Sequence, residues 1–135
     1  MSEKLVLDSF ALVSLFHKEP GWEKVRAALY EQQRGGTKAF LNWVNWGEFF
    51  YVVKRKVGAA RAAETLHLLE QLPIELVPVD LPLVREAAEI KSEHAVSYAD
   101  AFCIATAHRL SGTVLTSDPE FHAVEHLITV RWLTN

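Results

Sequence analysis

Ser97-Tyr98-Ala99-Asp100-Ala101-Phe102-Cys103-Ile104-Ala105-Thr106-Ala107 is followed, a few residues on, by Thr113-Val114-Leu115-Thr116-Ser117-Asp118-Pro119. The first half reads as a helix buried on most sides. Ser97 stands at the N-cap, Asp100 lies three residues later as in a capping box, and the body is almost wholly small or apolar. After Ser111-Gly112, the β-branched run Thr113–Thr116 predicts a short buried strand. Asp118 follows that strand, just before a proline that stops it. One acid thus opens a buried helix, and a second sits past the next strand. In an open α/β sheet, ligands bind outside the carboxyl ends of the strands.

Working outward, strands alternate with helices along the chain. Lys4–Leu7 is expected as a strand ending at Asp8, and Phe10–His17 as a short helix broken by Glu19-Pro20-Gly21. Trp22–Gln33 is a second helix, ended by Arg34-Gly35-Gly36, and Lys38–Leu41 a second strand. A helix is expected from Asn42 to about Val57, stopped by Gly58, with another over Ala59–Leu72. Ile74–Val79 is a third strand, Leu81–His94 a helix, and Ile128–Leu133 a last strand. This alternation predicts an α/β fold with a parallel sheet and helices on both faces. If the first and fourth strands are neighbours, Asp8 and Asp118 end side by side.

The 135 residues fit a single domain, 1–135, and half of them are hydrophobic, enough for a substantial core. Fourteen Lys+Arg against 17 Asp+Glu give a formal charge of −3, so the chain carries no basic nucleic-acid coat. A nucleic acid would need a local basic strip or a metal. The single Cys103 excludes an internal disulfide and fits a reducing compartment. No apolar run reaches signal-peptide or transmembrane length, so the expectation is a soluble cytoplasmic protein with no membrane partner.

Singly, each acid has an ordinary structural role. Asp8 can cap a helix or end a strand, Asp100 can complete a capping box, and Asp118 can cap a turn opened by Pro119. Glu48 differs, because its helical neighbours Val44, Asn45, Tyr51 and Val52 leave it no fully solvated face. Together the acids say more. Carboxylates about 4 Å apart repel by on the order of 4 kcal/mol per pair at an effective dielectric near 20. Such a crevice persists if a divalent cation neutralises it or one acid takes a proton. Carboxylate and water ligands suit Mg²⁺ or Mn²⁺, which can activate water and stabilise charge on a phosphoryl group.

Val6-Leu7-Asp8-Ser9, Asn45-Trp46-Gly47-Glu48, Ser97-Tyr98-Ala99-Asp100-Ala101 and Leu115-Thr116-Ser117-Asp118-Pro119 resemble the four acidic motifs of the PIN-domain nucleases. The match is nearest to the VapC toxins of bacterial and archaeal toxin–antitoxin pairs, and it covers essentially the whole chain in order. The resemblance implies a three-layer α/β/α sandwich around a small, mostly parallel sheet of four to five strands. It implies a Mg²⁺- or Mn²⁺-dependent endoribonuclease in which Asp8, Glu48, Asp100 and Asp118 hold the metal and serve catalysis. Ser9 and Thr116 fall where the family often keeps a hydroxyl beside the acids. It further implies an RNA substrate, a small antitoxin partner and a homodimer. The antitoxin tail would cross the helices near Trp22 to Tyr51. Two departures stand out: the Glu48 segment is unusually aromatic, and Ser117 stands where a basic residue often precedes the last acid. The alternative is a PIN-like module that binds RNA or protein without turnover; a dead domain need not keep all four acids.

Other signals point elsewhere or to packing. His122, Glu125 and His126 have the spacing of one zinc-protease motif, which needs a regular helix and a distant further ligand. Here they lie in a short connection before the last strand. Asp8 as a phosphatase nucleophile would call for an acid two residues on, where Phe10 stands. Cys103 reads as core. Lys54, Arg55, Lys56 and Arg61 form the clearest basic cluster, either a solvated helix end or a phosphate contact; Arg55, seven residues past Glu48, shares nearly its helical face. The aromatics from Trp43 to Tyr51 are too many for one helix to bury, which places some at an interface.

Overall fold

Alternate residues of the first strand enter two different cores. In the computed structural model, which describes residues 3–134, Leu5 and Leu7 of β1 (Leu5–Leu7) pack on one side of the sheet and Val6 on the other. This is the strand's two-residue period, with both faces buried as in a parallel sheet. The first core takes α1 (Ser9–His17), α2 (Trp22–Arg34) and the inner face of α3 (Trp43–Glu70), through Leu12, Val25, Leu29, Phe49 and Val53. The second takes α4 (Leu81–Glu93), α5 (Tyr98–Leu110) and a 3-10 helix at Pro119–Val124, through Leu83, Ile104, Phe121 and Val124. Helices therefore cover both faces of the sheet.

The other strands are β2 (Ala39–Asn42), β3 (Ile74–Val77), β4 (Thr113–Thr116) and β5 (Thr129–Trp132). All neighbours are parallel, in the order β3-β2-β1-β4-β5. β1 lies between β2 and β4, with Leu7 opposite Leu115, so the residues following the two strands emerge together. The chain crosses from one half of the sheet to the other between β3 and β4, and β1 and β4 flank the resulting crevice. Close packing fixes this pairing at its start: a Cβ added at Gly112 would lie 2.8 Å from the Lys4 carbonyl oxygen.

Each expected element forms, with ends shifted by a few residues. Gly58 does break the long third helix: its φ of 85° and ψ of 172° divide Trp43–Glu70 into two helical segments. The third strand is shorter than expected, ending at Val77, because Asp80 caps α4 by accepting from the Leu83 N–H at 2.9 Å. The capping box at Ser97 forms only in part. Ser97 Oγ accepts from the Asp100 N–H at 3.1 Å, but the Ser97 N–H donates to Glu120 Oε1 at 2.9 Å. Asp100 is thereby released from a reciprocal capping role. No helix among the described residues is long and apolar enough to cross a membrane.

Candidate active site

Parallel strands deliver their carboxyl ends to one edge, and the helices that return to that edge start there with their N-termini. Asp8 follows β1 and caps α1, its Oδ1 accepting from the Ala11 N–H at 2.8 Å. Asp118 follows β4 and caps the 3-10 helix, accepting from the Glu120 N–H at 2.9 Å. Asp100 lies in the first turn of α5, and Glu48 in the second turn of α3. The expected caps at Asp8 and Asp118 are thus real. Capping uses part of each carboxylate and aims the rest at the shared edge.

Two hydroxyls hold the acids in place. Thr116 Oγ1 donates to Asp8 Oδ2 and accepts from the Asp118 N–H at 2.9 Å, so a single side chain links the two strand-end acids. Ser9 Oγ donates to Glu48 Oε1, joining α1 to α3. Asp8 and Thr116 are fully buried, Asp100 is 2% exposed, and Glu48 and Asp118 are half-buried at the mouth. Burial is the main force on Asp8, pushing its carboxyl up to about 7. The Thr116 and Ala11 hydrogen bonds pull it down, and the Asp118 and Glu48 charges add to the rise. Asp100 is raised further, by burial first and then by its neighbours Asp118, Asp8 and Glu120.

Asp100 Oδ2 is buried with no hydrogen-bond partner among the described residues. Asp100, Asp118 and Glu120 each bring an oxygen to within 4.8 Å of the others. A buried carboxylate oxygen left without a donor, beside two further carboxylates, is the donor set a hard divalent cation takes. The residues therefore fit the metal that the resemblance implies.

Sequence reasoning misses two groups. Glu120 reads there only as part of a turn; its signal is an acid two residues after Asp118, where the helical turn brings both together. The Asn42–Asn45 pair reads only as a helix start. Asn42 caps α3 by accepting from the Asn45 N–H at 2.9 Å, and its amide donates to Asn45 Oδ1 at 2.6 Å and Thr106 Oγ1 at 3.3 Å. Asn45 Nδ2 donates to the Ala99 carbonyl at 3.0 Å. This buried network ties the start of α3, which carries Glu48, to the start of α5, which carries Asp100.

None of the remaining candidates hydrogen-bonds or pairs with the four acids among the described residues. Arg55 sits over the Tyr51 ring at 5.1 Å, and Lys56 pairs with Glu19 at 3.0 Å; Lys54 and Arg55 are exposed. The zinc motif does not assemble. His122 binds Glu125 at 2.7 Å and stacks on Trp132, whereas His126 packs against His94, because the 3-10 helix ends at Val124 and His126 lies in the turn beyond it. Cys103 is core, its thiol pushed well up by burial. Trp43, Tyr51 and Phe10 are each about half exposed, while Phe49 is fully buried.

Five parallel strands with a cluster of carboxylates beyond their carboxyl ends make an α/β protein with an acidic site at one edge of its sheet. The chain belongs to the PIN domain family, whose model matches residues 5–127. Solved structures share the fold. A chain of the DNA-bound VapBC complex from Salmonella typhimurium superposes with a TM-score of 0.79 at 15% identity, covering 98% of this chain and 99% of that one. A chain of VapBC2 from Rickettsia felis, bound to a promoter DNA fragment, gives 0.77 at 13%, covering 95% and 97%. VapC20 from Mycobacterium tuberculosis, described as a toxin that cleaves the sarcin-ricin loop, gives 0.66 at 16%, covering 90% and 95%. No curated protein sequence matches the chain.

Proposed function

We propose that this chain is a Mg²⁺- or Mn²⁺-dependent endoribonuclease of the cytoplasm, the toxin of a toxin–antitoxin pair. The observation that most supports the reading is the Asp100, Asp118 and Glu120 cluster, in which a buried Asp100 oxygen has no partner among the described residues, with the Asp8 and Glu48 carboxylates brought toward it from the end of β1 and from α3. Asp8, Asp100 and Asp118 would hold the ion from the strand ends and α5, Glu48 from α3, and Glu120 adds a fifth carboxylate beside Asp100 and Asp118. When bound, a divalent cation supplies Lewis acidity and neutralises charge on a phosphoryl group. The chain's own residues supply orientation. Thr116 fixes the second oxygen of Asp8, Ser9 fixes Glu48, and the deep burial of Asp8 and Asp100 excludes water from the floor of the site. The RNA-cleaving description of VapC20 and the paired VapBC complexes among the structural relatives support the substrate and partner classes.

The partner reading is a homodimer that binds a small antitoxin. Its support is the half-exposed Trp43 and Tyr51 on α3, with Phe10 on α1, the helices that carry Glu48 and Ser9. An antitoxin tail laid across these helices could set a basic side chain among the acids and offset their charge. Lys54 and Arg55 are solvent-exposed on α3 and available to an RNA phosphate.

The test is cleavage of RNA by purified protein. Cleavage should stop with EDTA and return with Mg²⁺ or Mn²⁺. Asp8→Asn and Asp118→Asn should each remove most of it while the fold persists. Near wild-type cutting by both variants, with unchanged metal dependence, would leave a binding module without turnover.

A further inference from the structure

Trp132 ends β5 directly opposite Thr116, the residue that holds Asp8. Neighbouring strands lie about 4.8 Å apart, so this indole stands one strand away from the acids at the same edge of the sheet. The pairing continues past the strand, with the Leu133 N–H donating to the Thr116 carbonyl at 2.9 Å. His122 stacks on the indole, ring centres 4.1 Å apart and planes 21° from parallel. Its Nδ1 is held by Glu125 at 2.7 Å. The two rings share the lining of a concavity of about 320 Å³ with Ser117, Pro119 and Thr134. Ser117 and Pro119 flank Asp118, so the backbone carrying one site acid is also a wall of this concavity.

We propose that this concavity is a nucleobase subsite, which takes the unpaired base of a nucleotide adjoining the phosphate at the acidic crevice. The proposal rests on the nuclease reading for the position of that phosphate. An aromatic face accepts any base by stacking, because every base has a π-face, and this is how sequence-tolerant single-strand binders hold their ligand. The Ser117 and Thr134 hydroxyls at the lining can donate to or accept from a base edge. In a duplex both faces of each internal base are covered by its neighbours, so the subsite selects single-stranded RNA. A chain with a net charge of −3 gains little from general attraction to phosphate, which leaves stacking as a main source of hold beside the metal site.

The test uses a fluorescently labelled single-stranded RNA of mixed sequence and the same RNA annealed to its complement. Binding is read by anisotropy in an Asp8→Asn background with Mg²⁺, and cleavage by kcat and KM in the otherwise wild-type protein. Trp132→Leu keeps apolar bulk at the sheet edge and removes the ring; Trp132→Phe keeps a ring. Trp132→Leu should weaken single-strand binding and raise KM by about tenfold or more, and Trp132→Phe should restore both to within about threefold. Duplex binding should be the same in all three proteins. Equal single-strand affinity for Trp132→Leu and the parent would overturn the subsite, as would a Trp132→Phe protein that melts like the parent yet fails to restore binding. Absence of RNA cleavage by the wild-type protein would instead remove the nuclease reading, and the binding comparison would still decide the subsite.

Discussion

Replacing Asp8 by asparagine should change how the stability of the metal-free protein depends on pH. Asp8 is fully buried, and its carboxyl titrates at about 7 in the fold against an ordinary 3.8. Between those two values the folded chain holds a proton that the unfolded chain has lost. Stability therefore falls as pH rises from about 4 to about 7, and levels off above. At about 1.4 kcal/mol per pKa unit, the gap is worth about 4 kcal/mol at most. The amide of the Asp8→Asn variant has no such proton to lose. Its oxygen can still accept from the Ala11 N–H, and its NH₂ can donate to Thr116 Oγ1, which reverses that bond and takes the acceptor from the Thr116 hydroxyl, a cost that does not vary with pH.

The assay is urea unfolding of both proteins in EDTA at constant ionic strength, from pH 4 to pH 8.5. Asp100 is also raised and is present in both, so each absolute curve slopes downward. The difference between the curves reports the Asp8 titration together with the smaller change that losing the Asp8 charge makes at Asp100. Asp8→Asn should gain on the wild type by about 2–4 kcal/mol across that range, with most of the gain between pH 5 and 7. A difference constant to within about 0.5 kcal/mol would refute the burial argument for Asp8. Saturating Mg²⁺ should reverse the order at pH 7.5, because the wild type binds the ion through its folded site and the variant lacks one carboxylate.

Asp100→Asn should raise the metal-free melting temperature by about 2–5 °C, since it removes an acid that is disfavoured by burial first and by Asp118, Asp8 and Glu120 after it. A capping role alone predicts a loss of about 0.3–1 kcal/mol, and a lowered melting temperature with an unchanged Mg²⁺ increment would make Asp100 a cap. Thr116→Val should cost about 2 kcal/mol or more by denaturant unfolding at pH 7.5, because Asp8 Oδ2 and the Asp118 N–H both lose their partner. It should also move the Asp8 titration upward, as the Thr116 hydrogen bond is what most opposes burial there. A loss below about 0.5 kcal/mol would show that water replaces the hydroxyl.

The alternation of short apolar runs with helical stretches is enough to read the layers, because the inner strands β1, β2 and β4 are short and almost wholly apolar or β-branched and most helices start at a capping side chain. Gly58 is legible as well: a glycine in a long helical pattern marks the place where φ turns positive. Three of the acids draw notice by standing beside strand ends or a helix start and Glu48 by lacking a fully solvated face, and the family resemblance joins them. What spacing does not give is how their oxygens are shared. The pattern Ser97…Asp100 is a capping box by spacing, yet Glu120, distant in sequence, takes the Ser97 N–H. Spacing describes local competition, and here a long-range partner wins it. Trp132 is equally silent in the sequence, since its place beside the site depends on β5 pairing with β4.

The Asn42–Asn45–Thr106 network and the Thr116 hydroxyl explain how the fold tolerates an acidic crevice at all. Carboxylates pressed together push their elements apart, and the sheet alone restrains only β1 and β4. Glu48 and Asp100 ride on helices, which can slide. Asn45 closes that freedom by donating to the Ala99 carbonyl, one residue before Asp100, while Asn42 locks Asn45 from the end of β2. Ser9 closes it from the other side by holding Glu48. These groups bear no charge, so they add no repulsion of their own, and they fix α3 and α5 against the sheet before any ion arrives. With the elements held in place, burial first and repulsion among the acids second raise the carboxyl pKa values of Asp8 and Asp100, and a divalent cation bound there would relieve that repulsion.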